Sequence, residues 1–285
     1  MLVSDIDLFK SLYTRNVSFS HLGFVSSLES ELLSFCESEE YVNDINNSSN
    51  IVCLITTKEL ASSFNHKLRL IINEKPKQLF YEVHNYLFEK TSFYQKDISS
   101  FIADTSRIYP KAYIAERNIH IGNNVVIEPN VTILENVFID DNVIIRSGSV
   151  IGSEGFQYVR SDNGILSVKH AGGVVLKKNV EIGANCCIDK GVFGENTVLE
   201  ENTKLDNLVH IAHACRIGRR CLLAAGVIVA GSSIVGDDVW IGPGAIISNQ
   251  ISIGKESFVS LGSVVIKNMP QNSYGIGNPC RFAIK

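Results

Sequence analysis

The sequence predicts a β-dominated protein: a parallel β-helix built from six-residue repeats, preceded by a small α/β domain. Three observations lead there. Every sixth residue from position 199 is aliphatic: Leu199, Leu205, Ile211, Ile217, Leu223, Val229, Val235, Ile241, Ile247, Ile253, Val259 and Val265. Ile121, Ile127, Ile133, Ile139, Ile145 and Ile151 keep the same phase upstream. The first hundred residues lack this period altogether. In a chain that is 45% hydrophobic, such an unbroken run arises by chance roughly once in ten thousand trials per register.

A six-residue period suits neither a helix, at about 3.6 residues per turn, nor a long alternating strand. It suits short strands joined by tight bends, each sending one aliphatic side chain into a shared interior. Three hexads close a triangular coil, so residues three hexads apart stack. Glycine often follows the aliphatic residue, as at Gly122, Gly152, Gly183, Gly218, Gly236, Gly242 and Gly254. Glycine and asparagine are expected there to relieve unusual backbone angles at the bends. Ile102, Ile108 and Ile114 lie one residue out of phase, and Leu176, Ile182 and Ile188 form a short run with a phase of their own. Residues 152–173 interrupt the pattern. A solenoid tolerates such an excursion where it leaves the stack, commonly on a binding face; a neutral insertion is the alternative.

The N-terminal domain, residues 1–99, reads as α/β. Ile51–Ile55 and Leu68–Ile72 are apolar runs bounded by polar stretches, as buried strands are. Lys77–Glu89 is a helix opened by Pro76, with Leu79, Phe80, Val83, Leu87 and Phe88 at helical spacing. The boundary falls near Ser99-Ser100, and residues 100–285 form the β-helix domain.

Composition narrows the function classes. A net charge of -4 with no Lys/Arg cluster argues against nucleic acid or an anionic membrane as partner. The seven cysteines are Cys36, Cys53, Cys186, Cys187, Cys215, Cys221 and Cys280, with no C-x-x-C pair. Neither a disulfide framework nor a zinc ribbon is expected from them, and reduced thiols in a cytoplasmic protein are. Cys186 and Cys187 read as small packing residues. The start lacks a signal peptide, and no apolar run is long enough to span a bilayer.

Three segments carry a resemblance: Ile151-Gly-Ser-Glu-Gly-Phe156, Val180-Glu-Ile-Gly-Ala-Asn185 with Ile188-Asp-Lys-Gly191, and Leu205-Asp-Asn-Leu-Val-His-Ile-Ala-His213. They resemble the UDP-3-O-acylglucosamine N-acyltransferases of lipid A biosynthesis, members of the hexapeptide-repeat acyltransferases. The resemblance implies that the coils wind left-handed, against the usual crossover rule. It also implies homotrimers with active sites between neighbouring β-helices, and transfer of an acyl group from a thioester donor to the amine of a UDP-linked amino sugar. No tightly bound cofactor and no metal are implied. The donor is an acyl carrier protein or coenzyme A thioester. The stretch Leu32-Leu-Ser-Phe-Cys-Glu-Ser-Glu-Glu-Tyr41 is similar to the family's uracil-binding segment, making Phe35 and Tyr41 a candidate clamp. The family's second active-site histidine, in a Gly-His pair, falls here on Asn249-Gln250. In place of the family's C-terminal helices the chain ends Gly277-Asn-Pro-Cys-Arg-Phe-Ala-Ile-Lys285, similar to the tail of coenzyme-A-dependent sugar acetyltransferases.

Acyl transfer to an amine needs a base, an oxyanion donor and tight alignment. His213 follows inward-facing Ile211 by two, at a bend, and its place in the Asp-Asn-x-x-x-Ile-Ala-His segment marks it as the base. Asp206 and Asn207 either orient that imidazole or cap a bend. His210 either lines the cleft or is solvated. Gly231 stands three hexads after His213, where a bare backbone N–H is available to a thioester oxygen, and Asn249 stands three hexads further. Gln250 offers a neutral amide where the family has its second histidine. Phe156, Tyr158 and His170, in the excursion, are candidates for lining the sugar site. Two other readings compete. One is a coenzyme-A-dependent sugar acetyltransferase for surface polysaccharide. The other is a hexapeptide carbonic anhydrase, for which His210 and His213 supply only two of three histidine ligands, or a non-catalytic scaffold.

Overall fold

The computed structural model describes residues 1–9, 17–27, 29–95 and 98–284. They divide into two compact units: Met1–Gln95 with Phe156–Lys169, and Lys96–Gly155 with His170–Lys285. The interruption expected at 152–173 is therefore shared, its central part grouping with the N-terminal unit.

In the first unit, β1 (His21–Leu22), β2 (Leu32–Cys36), β3 (Ile51–Thr56) and β4 (Arg69–Ile72) form a parallel sheet in sequential order. A short helix α1 (Val42–Asn47) links β2 to β3, and α2 (Pro76–Lys90) follows β4 with Pro76 in its first turn. Proline is suited to that position because its missing N–H has no partner to lose there. Leu79, Phe80, Val83 and Leu87 are buried as the periodicity predicts. Phe88 is not. It lies at the trailing edge of the apolar face and is exposed, whereas Tyr81 and His84 are buried. Both polar tips are satisfied: Gln157 Nε2 donates to the Tyr81 hydroxyl at 2.9 Å, and the His84 ring lies 2.8 Å from both Tyr94 Oη and the Lys169 carbonyl. The Asn85 side chain likewise bonds the Ser167 carbonyl and the Lys169 N–H. These bonds tie a hairpin, Tyr158–Ser161 with Gly164–Ser167, onto α2.

The second unit is a parallel β-helix of three sheets made of strands two to four residues long. Ile211, Val229, Ile247 and Val265 pair in register, 18 residues per coil, and all are buried. Truncating one of these side chains to alanine leaves a cavity costing about 2–5 kcal/mol. The phase slips have physical causes. Ile102 pairs with Ile121 and Ile114 with Ile133, 19 apart, which absorbs the single out-of-phase residue. Ile151 pairs with Ile188, 37 apart, so this coil carries the excursion. Ile188 pairs with Ile211, 23 apart. Five residues beyond the 18 of a plain coil form a second, smaller loop near 190–195, which the repeat reading passes over. The Glu195 carboxylate pins it by accepting from Val192 N (3.0 Å) and Phe193 N (2.8 Å).

Left-handed backbone angles recur at the corners. Asn118, Asn124, Asn136, Asn142, Asn179 and Asn202 all have φ between 55° and 65°, a region asparagine tolerates better than most residues. Their amides bond up the stack, as from Asn118 to Asn136 at 3.0 Å and from Asn179 to Asn202 at 3.1 Å. Of the glycines after the aliphatic residues, Gly152 relieves a left-handed angle (φ 88°) as expected, but the other six have another purpose. Gly218 and Gly242 are not at left-handed angles; a Cβ on either would come within 2.6 Å of backbone in the next coil. Coil spacing, not bend geometry, selects them. No helix among the described residues is long and apolar enough to cross a membrane.

Candidate active site

The strand His210–Ile211 ends at a corner that carries His213. Ile211 points inward and anchors the strand, while the corner is fixed by Ala214 N donating to Thr197 Oγ1 (2.8 Å) and Ser232 N donating to the His213 carbonyl (2.8 Å). Around the His213 ring stand His170, edge-on with centroids 5.8 Å apart, and two glycines. A Cβ on Gly231 would lie 2.4 Å from His213 Nε2, and one on Gly155 would lie 3.3 Å from Cδ2. The imidazole thus fills space that any side chain at 231 would occupy.

His170 is buried, and its Nε2 accepts from Gly155 N at 3.1 Å. A neutral ring accepting at Nε2 carries its proton on Nδ1. Asp189, also buried, accepts from Ser153 Oγ at 2.7 Å and places Oδ2 3.6 Å from His210 Nε2. Asp189 escaped the reading of the sequence as a site residue. Its signal was there: it follows inward-facing Ile188 directly within one of the matching segments.

Burial pushes the His213 pKa down to about 4, helped by His170 and His210 and opposed by Asp189. The imidazole is therefore neutral near pH 7. By linkage the unfolded chain takes up a proton at this residue below about pH 6.5, the folded chain only near pH 4. The resulting stability is complete above pH 6.5 and lost as pH falls through that window, by about 3 kcal/mol at most. Chemical denaturation between pH 7 and pH 4 should show this loss for the wild type and a shallower slope for His213→Ala.

The other predicted residues distribute as follows. Asp206 and Asn207 do not orient the imidazole. They sit one corner earlier, where Asp206 Oδ1 accepts from Asn207 N and Asn207 Oδ1 from Ala184 N, both at 2.7 Å, and neither hydrogen-bonds His213. Their polar atoms cap a bend. Asp206 also lines an open groove of about 380 Å³ with Arg146, Glu181, Lys204, Leu222 and Trp240. His210 stands beside Asp189, half-exposed. Asn249 and Gln250 are exposed on the next coil. Gln250 N donates to the Gly231 carbonyl at 3.0 Å, and neither side chain hydrogen-bonds the His213 cluster. Phe35 belongs to the N-terminal unit, packed 5.0 Å from Phe80 and 6.2 Å from Tyr81, ring centroid to centroid. Tyr41 is exposed at the start of α1. Phe156 is almost wholly exposed and edge-to-face with Tyr158 at 4.9 Å, in that same unit.

Residues 118–153 and 196–231 match the family model described as bacterial transferase hexapeptide (six repeats). A UDP-3-O-acylglucosamine N-acyltransferase from Campylobacter lari is 30% identical over 290 residues, spanning 94% of this chain and 90% of that protein. Another with that name, from Caulobacter sp., is 36% identical over 135 residues, spanning 47% of this chain but only 39% of its own length. Among solved structures, the UDP-N-acetylglucosamine acyltransferase from Campylobacter jejuni shares the fold with a TM-score of 0.55 at 24% identity, over 65% of this chain and 72% of that one. The hexapeptide match and this likeness bear out the left-handed parallel β-helix.

Proposed function

We propose, on the premise that the chain belongs to the UDP-3-O-acylglucosamine N-acyltransferase family, that it transfers an acyl group from a thioester to the amine of a UDP-linked amino sugar in lipid A or surface-glycan assembly. The observation that carries this reading is the half-buried, neutral imidazole of His213 set against the bare backbone of Gly231.

The chemistry follows from that geometry. The sugar amine attacks the thioester carbonyl carbon, a C–N bond forms, and the carbonyl electrons collect on oxygen. His213 Nε2, beside the notch left by Gly231, takes the amine proton. The oxyanion collapses, the C–S bond breaks, and the same proton passes to the departing thiolate. A base that is neutral near pH 7 is in the right form to start the sequence. The Gly231 N–H makes no hydrogen bond among the described residues and serves as oxyanion donor, with Asn249 and Gln250 of the next coil as further amide donors. Asp189 and His170 line the imidazole, and His210 contacts substrate from beside Asp189. Asp206 and Asn207 cap the adjoining corner.

Phe35 and Tyr41 hold the uracil ring in this reading, since a base stacked on an aromatic face gains about 1–3 kcal/mol. Tyr41→Ala should therefore weaken UDP-sugar binding by roughly ten- to a hundredfold, measured by calorimetry; unchanged affinity would remove Tyr41 from the clamp. The donor is acyl carrier protein or coenzyme A thioester, with no tightly bound cofactor. The working form is a cytoplasmic homotrimer, supported by the aliphatic residues Ile228, Ile234 and Ile246 left exposed on the coil faces.

Gln250, where the family has histidine, and the Gly277-Asn-Pro279 tail favour a second reading, in which coenzyme A is the donor and the product an acetylated sugar. Release of free thiol from acetyl-CoA and from hydroxyacyl carrier protein, across a panel of UDP-amino sugars, tests both. Turnover confined to the carrier-protein thioester supports the first reading, turnover confined to acetyl-CoA the second. No turnover with any pair contradicts both.

A further inference from the structure

Three side chains of different chemistry converge on the outer face of the coil. Cys187 and His210 are direct partners on neighbouring strands, so their side chains leave the sheet on the same side. Asp189 follows Cys187 by two and returns to that side, as the strand alternation requires. The thiol sulfur, a carboxylate oxygen and a ring nitrogen all lie within 4.8 Å of one another. The sulfur is 3.5 Å from Asp189 Oδ1, and His210 Nε2 is 3.6 Å from Asp189 Oδ2.

Those separations have a meaning in coordination chemistry. Ligand atoms bound at about 2.0–2.3 Å around a tetrahedral zinc stand about 3.3–3.7 Å from one another. The 3.6 Å from His210 Nε2 to Asp189 Oδ2 falls on such an edge, and the thiol sulfur lies within 4.8 Å of both ligand atoms, near enough for a small side-chain rotation to close the set. Ser153 Oγ donates to Asp189 Oδ1 at 2.7 Å and lies 3.0 Å from Cys187 Sγ. It is placed as the hydroxyl that orients a ligating carboxylate. Gly155 keeps the space beside Oδ2 open, since a Cβ there would lie 3.0 Å from it.

We propose that Cys187, Asp189 and His210 form a binding site for a borderline-soft divalent cation such as zinc(II) or cobalt(II), with the fourth tetrahedral position open to solvent. A mixed sulfur, nitrogen and oxygen set favours such ions over magnesium or calcium, which take oxygen ligands. On binding, the metal–sulfur bond forms as the Cys187 thiol proton leaves to solvent; no redox partner is involved. The site shares Asp189 and His210 with the acyl-transfer reading, and its test reads metal binding rather than turnover, so the two fail separately. No linear spacing announces it, because its ligands come from two coils.

Cobalt(II) titrated into the reduced, purified full chain is the test. One equivalent per chain should bind, with a thiolate-to-cobalt charge-transfer band in the near ultraviolet and tetrahedral bands in the visible, all bleached by zinc(II). Cys187→Ser should lose the charge-transfer band. His210→Ala, at a half-exposed ring, should leave the coil folded and weaken cobalt binding by at least about tenfold. A charge-transfer band of undiminished intensity in Cys187→Ser would assign the thiolate to another cysteine and overturn the proposal. So would unchanged affinity in His210→Ala, or the absence of any band in the wild type.

Discussion

His213→Ala is expected to lower kcat/KM for acyl transfer by about 10²–10⁴-fold, the usual contribution of a positioned general base. The fold should survive. The ring lies outside the coil interior, and the corner is held by backbone bonds that alanine keeps. The ring also has a buried Nδ1 with no hydrogen-bond partner among the described residues, so its removal takes away an unsatisfied polar atom rather than a hydrogen bond at that nitrogen. The measurement is the steady-state rate beside a thermal unfolding curve. A large loss of rate with a melting temperature within a few degrees of wild type matches the assignment. Retention of most of the activity would refute it.

Gly231→Ala should be nearly as damaging, for a steric reason. Its Cβ would sit 2.4 Å from His213 Nε2 and 2.5 Å from Cε1, about 1 Å inside van der Waals contact. The ring has little room to retreat, with His170 and Gly155 close beside it. Either Nε2 moves or the methyl covers it. A displacement of about 1 Å at a reacting atom costs on the order of 10²-fold in rate, and the overpacking costs about 1–3 kcal/mol of stability. Because the effect runs through His213, the double variant His213→Ala/Gly231→Ala should be little slower than His213→Ala alone. Fully additive losses would show that Gly231 acts by another route.

These two residues show which parts of the molecule the chain declares in advance. The β-helix is legible because each coil demands the same aliphatic residue at the same interior position, so twelve side chains from Leu199 to Val265 repeat one physical requirement. His213 and Gly231 are legible for a related reason: the plain coil is 18 residues, and stacked partners can be counted out. Counting fails where the coil is lengthened. Asp189 and His210 lie on adjacent coils, but their coil runs 23 residues from Ile188 to Ile211. Asp206 is nearer to His213 in sequence but sits one corner away, whereas Asp189, on the preceding coil, stands beside His210. His170 reaches His213 only through the excursion, whose central part groups with the other unit. Apart from Gly152, the glycines after the aliphatic residues were legible as a pattern but not as a cause, because the approach of one coil to the next exists only once both are wound.

The most direct test is to incubate the purified chain with hydroxyacyl carrier protein and a UDP-linked 3-O-acylglucosamine and resolve the products by mass spectrometry. The wild type should yield a nucleotide sugar heavier by one acyl group, joined as an amide and stable to mild base. His213→Ala, equally folded, should yield none above background. Equal amounts of amide product from both proteins would contradict the placement of the base at His213. No amide product with any thioester and amino-sugar pair would contradict acyl transfer itself.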